Sequence, residues 1–591
     1  MTIKDKLGLF RSEMKNHNLA AYIIPSSDAH ISEYTADCWK SIEWISGFTG
    51  EAATVVITET SANLWVDSRF FIQAEKQIAG TEFILHKLKM PGVKDFPDWI
   101  MENISSATMI GIDGYVFQVN AAKNLERLLK QKNIVLAYEF DIPGKLWEFR
   151  PEIPTNKIFL QDEKYSGASA ENKIGQVRQK MQAAGADVHI IATLDDTAWI
   201  LNIRGKDIEC NPTPIAYSAI EHDKALLFIT ETKVPSEVRR YLESSGVEIH
   251  DYYQIENYIK SLDDVKLLLD PARMNYKLYK NVNDSVKIIE QMNPSTKLKA
   301  VKNAVEIKGM KAALLRDGAA MVKFFHWLEN SIGKEIISEV SAAEKMKDFR
   351  AESNMYLGES FETISAYKAN GAIVHYVANE ENNATLEPDG FFLTDSGGQY
   401  YDGTTDITRM IHLSEPTEIE KLDYTNILRG VIELSMAKFP KNTRGAQLDV
   451  LARQYIWKNS QNYMHGTGHG VGCFLNVHEG PQSIRMEENP IILEPGMMIT
   501  NEPGLYKENQ YGVRIENIIM VAEDITSEFG DFFKFETLTL CPIDLKAVNL
   551  NLMSGEQIKW LNDYHLRVRE ELEPLLEGEL KEYLYEKTRA I

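Results

Sequence analysis

The sequence predicts two α/β domains built on one plan, followed by an α+β domain rich in antiparallel strands. Three observations lead there. The apolar strand Ala20-Ala21-Tyr22-Ile23-Ile24, stopped by Pro25, recurs as Ala186-Asp187-Val188-His189-Ile190-Ile191. Asp28 and Asp195 follow these strands, and Trp44-Ile45 and Trp199-Ile200 each lead to glycine turns, at Gly47 and Gly50 and at Gly205. Such self-similarity reads as a diverged duplication, the alternative being chance recurrence of a common strand–Asp–helix pattern. From residue 300 onward the pattern changes to one long helical stretch and then to strands.

In chain order, Ala53 to Thr58 and Asn63 to Val66 read as strands flanking a turn, and Phe70 to Ile78 as a helix. Trp147 to Pro154 carries two prolines and reads as a linker. The expected domains are therefore 1–154, 155–300 and 301–591. From Asn303 to Ile332 a long amphipathic helix is expected, because Met310, Leu314, Met321, Phe325 and Leu328 keep helical spacing. Phe391 to Thr394 and Thr404 to Ile411 form a hairpin pattern around a glycine-rich turn. Thr417-x-x-Glu420 is a capping box before the helix that carries Ile427, Val431 and Leu434. Strands follow at Met497 to Thr500 and Tyr511 to Val521, and the tail from Ser554 reads as charged helix.

Composition narrows the function. With 591 residues, the chain is too long for one core. Its net charge of −22 argues against nucleic acid or an anionic membrane as partner, since both need a basic footprint. No apolar run of about 18 residues predicts a membrane span. The segment Met1 to Met14 has scattered charges and no apolar core, so no secretory signal is expected. Cys38, Cys210, Cys473 and Cys541 are widely spaced, which speaks against a disulfide framework and a thiolate zinc site. A reduced, cytoplasmic protein is the expectation.

The residues with chemistry lie in the last domain. Asp395 ends an apolar strand before Ser396-Gly397-Gly398, and Asp406 follows in Thr404-Thr405-Asp406-Ile407-Thr408. If these strands pair, two carboxylates converge and repel unless a cation lies between them. Each aspartate taken singly reads as well as a turn cap. His465-Gly466-Thr467-Gly468-His469-Gly470 sets two histidines among glycines, which predicts a tight loop rather than a helix. Glu502 follows a strand in Asn501-Glu502-Pro503-Gly504. Glu516 reads as lying within a strand, on the same face as Arg514. Four carboxylates and one imidazole make a hard, oxygen-rich donor set, suited to manganese, cobalt(II) or zinc. Two metals sharing such ligands can activate a water between them.

The order D…D…H…E…E resembles that of the pita-bread metallopeptidases (family M24B), most closely the long three-domain aminopeptidase P, or Xaa-Pro aminopeptidase, branch. The likeness rests on Gly371 to Tyr376, Asp395 to Arg409, His465 to Gly472, Asn476-Val477-His478-Glu479-Gly480, Asn501 to Gly504 and Arg514 to Asn517. Ile45 to Gly50, Val66 to Phe70 and Trp560 to His565 extend it over nearly the whole chain. The resemblance implies two creatinase/prolidase N-terminal-like α/β domains and a pita-bread catalytic domain with a curved antiparallel sheet. It implies two divalent ions, Mn2+ foremost, held by Asp395, Asp406, His469, Glu502 and Glu516. Asp395 would chelate one ion, Asp406 and Glu516 would bridge the pair, and Glu502 would also take the proton of the bridging water. His478 would hydrogen-bond the scissile carbonyl oxygen, His375 would stand near the leaving nitrogen, His465 would shape the proline pocket, and Arg514 would orient ligands. The implied activity is release of the first residue from short Xaa-Pro peptides, by a metal-bridged hydroxide, in a homodimer.

Three positions depart from that pattern without touching an expected ligand. Leu314 stands where relatives often carry histidine, Tyr367-Lys368-Ala369 replaces a shorter turn before His375, and Leu505 replaces an aromatic residue and is followed by Tyr506. Competing readings are a binding module that has lost catalysis, a dipeptide-restricted prolidase and a metal-free creatinase-like hydrolase. The full ligand set counts against the first and third, and the doubled amino-terminal half against the second.

Overall fold

The computed structural model describes every residue from Met1 to Ile591. By internal contact the chain divides into two compact units: Met1–Gln161 with Ala168–Thr296, and Asp162–Gly167 with Lys297–Ile591.

The first unit holds two six-stranded sheets. One uses β1 (Ala21–Pro25), β2 (Ala53–Thr58), β3 (Ala62–Val66), β4 (Phe83–Lys87), β5 (Met109–Ile112) and β6 (Val135–Ala137), in the order β4-β3-β2-β1-β5-β6. After the short β7 (Phe159–Leu160) comes the second, built from β8 (Val188–Ile191), β10 (Tyr217–Glu221), β11 (Ala225–Phe228), β12 (Val247–His250), β13 (Lys266–Leu269) and β14 (Lys287–Glu290), in the order β12-β11-β10-β8-β13-β14. Between them, β9 (Ile203–Arg204) pairs with β7. The two sheets match strand for strand in direction. β1 and β8 each pair antiparallel on one side and parallel on the other, and the outer strands are parallel in both. Their central strands are continuous apolar runs because both faces are covered.

One apolar cluster joins the two lobes, including Ile23, Trp65, Val188 and Phe228. Polar groups are satisfied there across the seam. His30 has Nδ1 2.6 Å from the Ala192 carbonyl oxygen and Nε2 2.9 Å from the Tyr252 hydroxyl. Burial lowers the His30 pKa to about 3 and raises that of Asp28 to about 6.

In the second unit, the helix Ala304–Ser331 opens on Asn303, whose side chain accepts from the N–H groups of Val305 and Glu306. It buries Met310, Leu314, Met321, Phe325 and Leu328, the stripe expected from spacing. β15 (Tyr356–Glu359), β16 (Ile364–Tyr367), β17 (Phe391–Ser396), β18 (Gly398–Tyr400), β19 (Gly403–Thr404) and β20 (Ile407–His412) form two three-stranded sheets, β15-β18-β19 and β16-β17-β20. The helix Glu418–Ser435 starts at the Thr417 capping box. The remaining strands are β21 (Lys438–Pro440), β22 (Gly468–Gly470), β23 (Glu479–Ile484), β24 (Met498–Asn501), β25 (Gly504–Lys507), β26 (Tyr511–Arg514), β27 (Asn517–Ser527) and β28 (Gly530–Thr537). They make an antiparallel sheet β21-β28-β27-β24-β22-β23 and a β25–β26 hairpin. The tail folds into helices Gly555–Leu572 and Glu579–Lys587. No helix is long and apolar enough to cross a membrane.

Two local expectations are corrected. The expected strand from Tyr511 to Val521 is broken: Ile515 and Glu516 lie between β26 and β27, where the chain leaves one sheet for another. The Glu516 N–H donates to the Thr408 carbonyl at 3.1 Å, and the buried Arg409 holds the Glu516 carbonyl at 2.6 Å. Of the segment His465 to Gly470, expected as a loop, His465 to Thr467 are irregular and Gly468 to Gly470 form a short strand. A Cβ at Gly468 would strike the Thr500 carbonyl oxygen and one at Gly470 the Glu479 carbonyl oxygen, so these glycines permit close strand approach.

Candidate metal centre

Each of the five expected metal ligands sits where a strand ends, breaks or kinks. Asp395 is the penultimate residue of β17, which is paired on both edges. Asp406 lies between β19 and β20, Glu502 directly after β24, and Glu516 at the switch from β26 to β27. His469 stands in β22 beside a β-bulge. Strand pairing therefore gathers side chains that are far apart along the chain.

Ligand-type atoms of Asp406, His469 and Glu516 all lie within 4.8 Å of one another. The His469 Nε2 is 3.4 Å from Asp406 Oδ2 and 3.7 Å from Glu502 Oε1. The other ring nitrogen, Nδ1, is 2.9 Å from the Gly470 carbonyl oxygen. That bond makes Nδ1 the donor and turns Nε2 toward the carboxylates. The Thr408 hydroxyl donates to Glu516 at 2.9 Å, and the Thr500 hydroxyl to Glu502 at 3.3 Å.

The carboxylates strain against one another. Burial, then the charges of Asp395 and Glu502, push the Asp406 pKa well above the usual range. Glu516 is raised by burial and by Asp406 and Asp395. Glu502 is raised by burial and by Glu516. The buried Arg514 donates from Nε and Nη2 to the same oxygen of Asp395, Oδ2, at 2.9 and 2.7 Å. Asp395 Oδ1 is buried with no hydrogen-bond partner. An unpartnered carboxylate oxygen amid mutually repelling carboxylates, with an imidazole nitrogen aimed at them, fits divalent cations. The donor set, four carboxylates and one nitrogen, is that of a hard ion.

The other predicted residues border this cluster. The His478 ring lies 4.2 Å from that of His469, edge to face. His375 lies near His465, and the Val374 carbonyl beside it is 3.4 Å from Arg514 Nη2. His465 has Nδ1 2.7 Å from the Gly466 carbonyl oxygen and Nε2 2.9 Å from the Tyr506 hydroxyl. Arg514 Nη1 donates to that same hydroxyl oxygen at 2.8 Å, which leaves the phenol hydrogen for His465 Nε2. His465 is thereby fixed as the neutral Nδ1–H tautomer. Burial and the nearby Arg514 charge lower its pKa well below 6.5, in agreement. It presents ring surface rather than an available proton.

Tyr506 is the residue that sequence reasoning passed over. It was visible only as the aromatic after Leu505, and its role in joining His465 to Arg514 needs the β25–β26 hairpin. Leu505 itself is buried, as is Leu314, which packs with Met310 and Val471.

The sequence model of metallopeptidase family M24 matches residues 308–523. Creatinase/prolidase N-terminal domain models match 6–140 and 149–306, and the C-terminal region of peptidase M24 matches 531–591. Aminopeptidase P2 of Arabidopsis thaliana is 40% identical over 610 residues, covering 97% of this chain and 86% of that protein. Xaa-Pro aminopeptidase 1 of Dictyostelium discoideum is 39% identical, covering 98% and 94%. The crystal structure of X-prolyl aminopeptidase from Caenorhabditis elegans, described as a cytosolic enzyme with a di-nuclear active site, superposes with a TM-score of 0.96 at 33% identity, over the full length of both chains.

Proposed function

Because the chain belongs to metallopeptidase family M24 and, within it, to the Xaa-Pro aminopeptidases, we propose that it removes the first residue from peptides with proline in second position. The observation that carries this reading is the cluster of Asp406, Glu502 and Glu516 about the His469 ring, with the neighbouring Asp395 leaving its buried Oδ1 unpartnered. Asp395, Asp406, His469, Glu502 and Glu516 would hold two divalent ions, with Mn2+ the best match to so many oxygens. Bound there, the ions supply the positive charge that lets the carboxylates ionise together and the Lewis acidity that makes water a nucleophile at neutral pH.

The chain's own groups then do the following. Glu502, partly open to solvent, accepts the proton of the attacking water. His478, beside His469, donates to the scissile carbonyl oxygen as it gains charge. His375 stands at the leaving nitrogen, and the His465–Tyr506 pair offers an uncharged wall to the proline ring. An X-Pro bond is a tertiary amide with no N–H, so a site that recognises it by imidazole and ring contacts loses nothing. Arg514 keeps Asp395 oriented. The reading extends to a cytosolic location, as described for the nematode enzyme, and to a homodimer, which sedimentation of the purified chain tests.

The decisive experiment combines metal analysis with cleavage of Gly-Pro and of a longer X-Pro peptide. The native chain is expected to bind about two ions and to prefer the longer peptide. Asp406→Ala is expected to lose nearly all activity and one or both ions. Normal hydrolysis by Asp406→Ala would overturn the ligand assignment, and preference for Gly-Pro would favour a dipeptidase.

A further inference from the structure

Glu339 is fully buried at the start of the helix Glu339–Ala351, whose cap is Ser338. Its carboxylate is met by donors from one stretch of chain, the segment between β16 and β17. Oε1 accepts from the Tyr367 N–H at 2.7 Å and from Asn370 Nδ2 at 2.9 Å. Oε2 accepts from the Tyr376 hydroxyl and the Ala384 N–H, both at 2.7 Å, with Asn370 Nδ2 also at 3.1 Å. The Glu339 N–H returns a bond to the Ala384 carbonyl at 3.0 Å. A carboxylate offers acceptors only, and every group around this one is a donor.

That segment carries His375. Tyr376, the next residue, donates its hydroxyl hydrogen to Glu339 or shares it with the Asn382 carbonyl 2.9 Å away, and its oxygen accepts from Asn370 Nδ2 at 3.0 Å. On the other side, Val374 offers its carbonyl to Arg514. Gly371 lies so close to Gly512 of β26 that a Cβ at Gly512 would strike the Gly371 carbonyl oxygen. His375 is thus suspended between the Glu339 anchor and the arginine that holds Asp395.

We propose that Glu339 is a positioning residue for His375, one buried carboxylate that pins residues 367, 370, 376 and 384 and so sets where the His375 imidazole meets the leaving group. The proposal rests on the Xaa-Pro peptidase reading for its chemistry. Glu339→Gln keeps the shape but turns an NH2 group toward backbone N–H donors, so at least one anchor point must let go.

The test is a double-mutant cycle on an X-Pro tetrapeptide with Mn2+ supplied, comparing the native chain, Glu339→Gln, His375→Ala and the double variant. Glu339→Gln is expected to lower kcat by about tenfold or more, with KM changed less, at unchanged metal content. On the His375→Ala background the same change is expected to cost about twofold at most. Equal losses on both backgrounds, or no loss from Glu339→Gln, would overturn the proposal. Should Glu339→Gln not fold, Tyr376→Phe removes a single donor, and the same cycle applies with a smaller expected loss. Trypsin supplies a readout independent of turnover: cleavage after Lys368 is expected to quicken in Glu339→Gln, and unchanged protection counts against the anchor. A native chain inert on X-Pro peptides would overturn the functional reading and leave the anchor to be judged by proteolysis.

Discussion

Arg453 is the cation whose removal has the most readable consequence. It is buried on the helix Asp449–Trp457 and donates from Nε to Asp449 at 2.6 Å. From Nη1 it reaches the Asn462 side chain at 3.1 Å and the Tyr463 carbonyl at 2.6 Å, and from Nη2 the His465 carbonyl at 3.0 Å. Its guanidinium also lies over the Tyr463 ring, 3.7 Å from the centroid. The other oxygen of Asp449 accepts from Thr467 at 2.6 Å, so the pair grips the strand entering His469. Removing one partner of a buried ion pair costs about 3–5 kcal/mol. Asn462 is exposed and His465 only partly buried, so water can replace two of the lost bonds, which places Arg453→Met near 4 kcal/mol. The second unit has about 300 residues, and its unfolding entropy of roughly 0.6 kcal/mol/K converts that to a Tm lower by about 6 °C. Arg453→Lys keeps the charge without the planar fork and is expected to lose about 2 kcal/mol. Calorimetry of the native chain and both variants measures this, with the transition of the second unit as the readout. A Tm for Arg453→Met within about 1.5 °C of native, or Arg453→Lys as damaged as Arg453→Met, would refute the claim that this side chain bears the loop.

Two further outcomes follow from the geometry. Gly468→Ala sets a methyl against the Thr500 carbonyl oxygen, so it is expected to part β22 from β24, cost about 1–3 kcal/mol and reduce bound metal through His469; full metal content at native Tm would contradict this. His189 is buried with Nδ1 on the Leu268 carbonyl and a pKa lowered to about 4, chiefly by burial. Its folded pKa lies below the unfolded value of about 6.5, so its contribution is complete above that pH and is lost as pH falls toward 4. In His189→Leu, urea titrations of the first unit at pH 7 and pH 5 are expected to lose about 1.4 kcal/mol per pH unit of that dependence, and an unaltered slope would refute the assignment.

How much was legible depended on how local the cause was. The helix Ala304–Ser331 could be read to within a residue, because its cap and apolar stripe are written in adjacent positions. The equivalence of the two amino-terminal sheets showed in their first strands and following aspartates. The acidic positions were legible by type and order, whereas their convergence depends on pairing across four strands. The break at Ile515 and Glu516 was not legible: alternation continues through it, and only the bond from Glu516 to Thr408 of β20 shows the chain changing sheets. The glycines flanking His469 were read as freedom to turn when they answer crowding by a neighbouring backbone. Glu339 and Arg453 look like ordinary charges of amphipathic helices, since nothing near them in sequence reveals that each will be sealed inside with a loop in its grip.

The scattering of the acidic groups over distant strands has a consequence for how the protein comes to hold its ions. No short segment of this chain supplies the whole expected ligand set, unlike the small finger domains that are unfolded without zinc. The slow, high-contact-order pairing of these strands must finish first. On the proposed ligand set, ions would enter a completed scaffold and would be exchanged, or withdrawn by a chelator, without the chain having to unfold.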